Sequence, residues 1–157
     1  TFGLTSNEIK TGLLNFKPLP GRGRLLNLRD GIKVFDDSYN ANPLSFEASI
    51  RAFDKIHKIN SILVMGDMLE LGAKSDSLHR KIAKIVSANS FSKVLYVGKY
   101  ASQIKDELSP DIEFIQFNDS FAISNYLKET VKSGDAILIK GSNSMNLEKV
   151  VEVLINW

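Results

Sequence analysis

Short apolar runs and amphipathic stretches alternate along most of this chain. Ser61-Ile62-Leu63-Val64-Met65, Lys93-Val94-Leu95-Tyr96-Val97 and Ala136-Ile137-Leu138-Ile139-Lys140 each hold a continuous apolar run of strand length, and Ile112 to Phe117 is read as a further strand. Runs of this kind suit strands buried on both faces. Between them the apolar residues recur every three or four positions. Phe46, Ile50, Phe53 and Ile56 mark one helical face, and Leu78, Ile82, Ile85 and Val86 another. Further helices are predicted over Ala101 to Leu108, Phe121 to Val131 and Leu147 to Ile155. Upstream, Leu25-Leu26-Asn27-Leu28 and Ile32 to Phe35 flank Arg29-Asp30-Gly31 and read as a hairpin.

Regular strand–helix alternation predicts a three-layer α/β/α, Rossmann-like domain. Its sheet is expected to be mostly parallel, with the first strand pair as an antiparallel edge hairpin. At the start, Thr5-Ser6-Asn7-Glu8 has the form of a capping box, and Ile9, Leu13, Leu14 and Phe16 follow as an apolar helical face. Gly12 weakens that helix, and Pro18 and Pro20 end it. The expected organisation is residues 1–17 as the end of a preceding unit and 18–157 as the domain. The opening Thr1-Phe2-Gly3 lacks an initiator Met and reads as a cut end.

Composition narrows the function classes. The chain has 157 residues, 43% of them apolar and 24% charged, enough for a real core. A net charge of +2 gives no reason to expect nucleic acid or an anionic membrane as partner. There is no Cys, which removes disulfides and thiolate zinc sites, and the only histidines are His57 and His79. No apolar run approaches the ~20 residues of a membrane span, and no signal peptide is recognisable, so the cytoplasm is the expected compartment.

Several strands end in polar or glycine turns: Asp36-Asp37, Gly66-Asp67, Gly98 and Lys140-Gly141-Ser142. In a parallel sheet these turns gather along one edge, where open α/β folds bind ligands. The most polar is Asp36-Asp37-Ser38-Tyr39-Asn40-Ala41-Asn42-Pro43-Leu44-Ser45, with Pro43 placed to open a helix. Adjacent on a strand end, Asp36 and Asp37 point to opposite sides, so a shared-proton pair is not expected. One of them could accept from a ribose hydroxyl pair; the plainer reading is that both are solvated strand-end residues. Lys140 ends a buried strand, so its charge must find water, a carboxylate or a ligand anion. Arg22 and Arg24 could reach a phosphate. Asp67 and Glu70 could be metal or ligand groups, or Asp67 could cap its turn. His79 is expected to be packed or at the surface, and His57 at the surface. No glycine arrangement forms a phosphate loop. Gly21-x-Gly23 precedes a strand and lacks the third glycine of a dinucleotide fingerprint.

Three motifs carry a resemblance: Asp37-Ser38-Tyr39-Asn40-Ala41-Asn42-Pro43-x-Ser45, Gly66-Asp67-Met68-x-Glu70-Leu71-Gly72 and Lys140-Gly141-Ser142-x-Ser144-Met145. In this order and spacing they resemble the C-terminal domain of the Mur ligase family. The resemblance implies an ATP-dependent peptide-bond ligation in peptidoglycan synthesis that passes through an acyl phosphate. The implied substrates are UDP-N-acetylmuramoyl-tripeptide, D-alanyl-D-alanine and ATP. Mg2+ and the phosphate loop are expected mainly in a preceding central ATPase domain, with no metal site in this chain. By the same resemblance Arg24 contacts the nucleotide, Arg22 being the alternative two residues away. Asp37 binds the ribose hydroxyls, and Tyr39, Asn40 and Asn42 line the adenine and dipeptide side. Ser45, Gly141 and Ser142 face the dipeptide or the reacting phosphate, and Lys140 is the catalytic candidate. Family members often carry Arg where this chain has Asn143, which puts that anion contact in doubt or passes it to Lys140. A monomer is expected, and the fragment alone is expected to be inactive.

A phosphoacceptor receiver domain is the competing reading. Such domains also place acidic residues and a Lys at strand ends, here Asp36, Asp37, Asp67 and Lys140. The Tyr-Asn-Ala-Asn-Pro run has no place in that scheme, Lys140 is followed by Gly instead of Pro, and the strand ending at Val97 lacks the usual hydroxyl residue.

Overall fold

Hydrophobic alternation becomes strand and helix almost where it is read. The computed structural model describes residues 3–56 and 60–157, so the expectation for His57 lies outside the described residues. The elements are α1 (Ser6–Asn15), β1 (Arg24–Asn27), β2 (Lys33–Asp36), α2 (Pro43–Asp54), β3 (Ser61–Gly66), α3 (Ser75–Ser87), β4 (Lys93–Val97), α4 (Ala101–Lys105), β5 (Glu113–Phe117), α5 (Ser120–Thr130), β6 (Ala136–Lys140) and α6 (Glu148–Ile155). Among the described residues the sheet runs β1-β2-β6-β3-β4-β5. Its first pair is antiparallel, with Arg24 opposite Asp36, and its other pairs are parallel. The hairpin turn is tight because Asp30 and Gly31 both adopt left-handed backbone angles, φ 55° and 72°. The α4 helix stops at Lys105, short of the Leu108 expected.

Period-two alternation divides the strand residues between two cores. Leu63, Met65, Tyr96 and Leu138 face Phe46, Ile50 and Phe53 of α2 and Ile82 and Val86 of α3. Val64, Leu95, Ile137 and Ile139 face Ile123 and Leu127 of α5 and Val150, Val151 and Leu154 of α6. Each fully buried side chain of this size stabilises the fold by about 1.5–3 kcal/mol before entropy is subtracted. Parity also places the polar strand ends. Lys140, two residues beyond Leu138, emerges on the α2 side, and Asp37 does the same relative to Phe35. Asp36 follows Val34 to the α6 side.

Helix starts are written locally. Thr5 and Glu8 form the capping box read from sequence. Asn42 and Ser45 form a second one, with Pro43 as the first helical residue of α2. Asp119 caps α5 through Ala122 N–H. No helix among the described residues is long and apolar enough to cross a membrane.

The connections after β2, β3 and β4 pass to one face of the sheet, and those after β5 and β6 to the other. β6 lies between β2 and β3, so its carboxyl end borders two neighbours whose chains depart the opposite way. This is where a crevice forms in an open sheet. On the β3 side that crevice is closed by glycine packing. A Cβ on Gly141 would lie 2.8 Å from Leu147 Cδ1 and 2.9 Å from Gly66 Cα. On the β2 side it stays open.

Gly141→Ala should therefore destabilise the domain by about 1–3 kcal/mol, because backbone would have to move to admit the methyl group. Thermal denaturation followed by circular dichroism should show a midpoint lower by several degrees; an unchanged midpoint would refute this packing.

Candidate functional site

The open side of the crevice is a cleft of about 470 Å3 lined by Gly21, Arg22, Gly23, Asp37, Tyr39, Asn40, Ala41, Asn42, Ser45 and Lys140. Its charged centre is Lys140. The side chain is 1% exposed, and Nζ lies 2.5 Å from Asp37 Oδ2 and 3.0 Å from the Asn40 carbonyl oxygen. An ammonium buried this far loses several kcal/mol of hydration, so a carboxylate and a carbonyl must stand in for water. Asp37 Oδ2 also accepts from Ser49 Oγ on α2. The Asp37 backbone N–H donates to Ile139 O at 3.1 Å, which continues the β2–β6 ladder and fixes where the carboxylate starts.

The strip before β1 forms the opposite wall. Gly21 has φ +73° and Gly23 φ +71°, so strand alternation is broken on both sides of Arg22. Gly21 N–H donates to Asp36 Oδ2 at 2.8 Å, and Tyr39 N–H donates to Gly21 O at 3.0 Å. The Arg22 guanidinium carbon lies 3.9 Å from the centroid of the half-exposed Tyr39 ring. Arg24, favoured over Arg22 at the sequence level, is placed elsewhere. On β1 it faces buried Asp36 at 3.5 Å, beside a separate cavity of about 150 Å3 that includes Asn143 and Glu148. Of the two arginines it is Arg22 that lines the cleft, because the left-handed glycines turn its side chain away from that of Arg24.

The other sequence candidates divide. Asn42 and Ser45 line the cleft, but their side-chain oxygens are engaged in starting α2: Asn42 Oδ1 accepts from Ser45 N at 2.9 Å, and Ser45 Oγ accepts from Asn42 N at 3.1 Å. The Asn42 amide N–H groups remain as donors. Asn40 Oδ1 accepts from Ala41 N at 2.8 Å. Gly141 and Ser142, expected beside Lys140 in the cleft, are buried next to it instead. Ser142 Oγ accepts from Leu69 N at 2.8 Å, and Ser142 N donates to Asp67 O at 2.9 Å. These two residues join the β6 turn to the β3 turn.

Asp67 is 2% exposed and fully engaged: Tyr96 hydroxyl donates to Oδ1 and Lys99 N–H donates to Oδ2 at 3.1 Å. Burial, followed by that carboxylate, pushes the Tyr96 phenol well above its ordinary pKa, so it stays a donor. A receiver domain needs an open acceptor carboxylate; this one is closed. Exposed Glu70 adopts φ +63° at the tip of the same loop.

His79 braces that loop from α3. It is wholly buried, and its ring stacks on Tyr100 with centroids 4.1 Å apart. Met68 N–H donates to Nε2 at 3.0 Å, and Nδ1 lies 2.6 Å from Ser75 O. One ring nitrogen must accept and the other donate, which is the neutral imidazole. Burial lowers its pKa, more than the Ser75 carbonyl and Asp67 raise it. The sequence held a signal for this role: His79, Ile82, Ala83 and Val86 share the buried stripe of α3. Ser49 had none, since its meeting with Asp37 depends on how α2 sits on the sheet.

The architecture defines an open α/β domain with a polar cleft at a topological switch point, the place where such folds bind ligands. Among the described residues, no group of three His, Asp or Glu is arranged to hold a metal ion. Residues 21–143 match the family described as Mur ligase, glutamate ligase domain, and the chain belongs to that family. It is 35% identical over 154 residues to UDP-N-acetylmuramoyl-tripeptide–D-alanyl-D-alanine ligase of Escherichia coli (strain K12), covering 97% of this chain and 33% of that protein. The MurF ligase from Thermotoga maritima, solved in complex with ADP, superposes with a TM-score of 0.77 at 27% identity, covering 93% of this chain and 33% of that one. MurF from Acinetobacter baumannii shares the fold, with a TM-score of 0.81 at 23% identity over 99% of this chain and 34% of that one. The chain thus spans about a third of the length of the curated relatives it matches. Family membership and the closed Asp67 together overturn the receiver reading.

Two outcomes follow from the buried polar groups. Lys140→Met should destabilise the domain by about 2–4 kcal/mol, and pairing it with Asp37→Asn should recover part of that loss in a denaturation double-mutant cycle; strictly additive losses would remove the ion pair. The lowered His79 pKa means that the unfolded chain binds its proton first as pH falls. Stability should be full above about pH 6.5 and decline below it. His79→Gln should flatten that decline in denaturant titrations between about pH 7.5 and 5, and an unchanged slope would count against the buried neutral ring.

Proposed function

We propose that this chain is the C-terminal domain of a ligase that joins D-alanyl-D-alanine to UDP-N-acetylmuramoyl-tripeptide at the expense of ATP. The observation that carries the reading is one cleft holding Arg22, Asp37, Tyr39 and Lys140, in a chain 35% identical over nearly its whole length to an enzyme of that name. The relative solved with ADP supports a nucleotide as one occupant.

The chemistry fits the residues. A carboxylate is a poor electrophile toward an amine, so its oxygen first takes the terminal phosphoryl group of ATP and ADP departs. The amine of the dipeptide then attacks the acyl carbon, loses a proton, and inorganic phosphate leaves. In this reading Tyr39 and Arg22 form a flat cationic platform for the nucleotide. Asp37 accepts from the sugar hydroxyls. Lys140 balances charge on the phosphate side, and the Asn42 amide donates toward the dipeptide. Mg2+ would shield the phosphate charges, and in this proposal it is held mainly by parts of the enzyme outside this chain.

Residues 1–17 belong, in this proposal, to the end of a preceding ATPase domain that also carries the phosphate loop. No residue of α1 is buried, and Leu13, Leu14 and Phe16 are 72%, 76% and 71% exposed. An apolar face of that size is normally covered by a neighbour.

The test uses the full-length enzyme. ADP release should depend on D-alanyl-D-alanine, while the 157-residue chain alone should not hydrolyse ATP. Asp37→Ala in the full-length enzyme should raise the KM for ATP about tenfold or more. Robust hydrolysis by the isolated chain, or an unchanged KM in the variant, would contradict the proposal.

A further inference from the structure

Among the described residues, the two donors that reach the Asp37 side chain arrive on one oxygen. Lys140 Nζ comes from β6 and Ser49 Oγ from α2, and each meets Oδ2. Among the described residues no donor reaches Oδ1. Two donors from different elements fix the plane of a carboxylate that a single long, flexible lysine would leave free to turn. Asp37 is 19% exposed in the cleft wall, so the oxygen left over is the one a ligand can use.

Ser49 is built to serve this purpose. It is 6% exposed, on the second turn of α2, and its backbone is fixed by the helix. Its hydroxyl has two acceptors in reach, Asp37 Oδ2 and the Ser45 carbonyl oxygen at 2.7 Å, but only one proton to donate. The Ser45 carbonyl already accepts the ordinary helical bond from residue 49's own N–H. The carboxylate bond is charge-assisted and about twice as strong as a neutral one, so the proton goes to Asp37.

We propose that Ser49 is a positioning residue for the nucleotide: it holds Asp37 so that Oδ1 is presented to a hydroxyl of the ribose. This inference rests on the nucleotide reading of the cleft given above.

The experiment compares the KM values for ATP and 2′-deoxy-ATP in the full-length enzyme and in its Ser49→Ala, Ser49→Thr and Asp37→Ala variants. Ser49→Ala should raise the KM for ATP about three- to tenfold with kcat at saturating ATP unchanged. It should also narrow the preference for ATP over 2′-deoxy-ATP, and Ser49→Thr, which keeps the hydroxyl, should restore both. Wild-type values in Ser49→Ala, alongside a raised KM in Asp37→Ala, would overturn the role of Ser49 and leave the nucleotide reading standing. A Ser49→Thr variant as impaired as Ser49→Ala would assign the effect to packing and also overturn it. Unchanged KM and preference in Asp37→Ala would sink the nucleotide reading itself, and the inference with it.

Discussion

A lysine ammonium held out of water at the end of a central strand sets the terms for everything around it. Lys140 follows four buried apolar residues of β6, and β2 and β3 flank that strand on either side. Its charge therefore requires an anion and a carbonyl at fixed places. Asp37 and the backbone of Asn40 provide them, which folds the polar turn back over the strand end. The capping box at Asn42 and Ser45 then fixes the angle at which α2 departs. Local helix chemistry and a long-range ion pair thus agree on one backbone path, and the cleft is the space that path leaves beside Arg22.

The rim beyond Lys140 follows a different logic. At the β3 and β4 ends the polar side chains are used internally. Asp67 takes Tyr96 and Lys99, Ser142 takes Leu69, and His79 takes Met68. Gly66 and Gly141 bring two turns to backbone contact, and the result is a loop braced from three elements. Such satisfaction of buried polar groups is what a rigid wall needs. Glu70, exposed at the tip of that wall, carries its left-handed backbone on a stiff support.

Much of this was legible in the sequence. Continuous apolar runs gave the buried strands, and the strand–helix rhythm gave a mostly parallel sheet with its antiparallel edge. The parity of Asp36 and Asp37 placed them on opposite faces, as observed. What could not be read depended on geometry without local periodicity. Two left-handed glycines decide that Arg22 lines the cleft and Arg24 does not, and nothing in the spacing of a Gly-Arg repeat distinguishes them. Gly141 and Ser142 neighbour Lys140 in sequence, but the close approach of β3 and β6 buries them. Ser49 lies on the buried side of α2 and meets Asp37 only once the helix has docked.

The strip from Pro20 to Gly23 has a mechanical consequence. It is riveted to the polar turn at two points, Gly21 N–H on Asp36 and Tyr39 N–H on Gly21 O. A torque applied upstream of Pro20 is therefore not absorbed by slack in the chain; it arrives at the Tyr39 ring and the guanidinium stacked on it. The segment that joins α1 to β1 is also one jaw of the cleft.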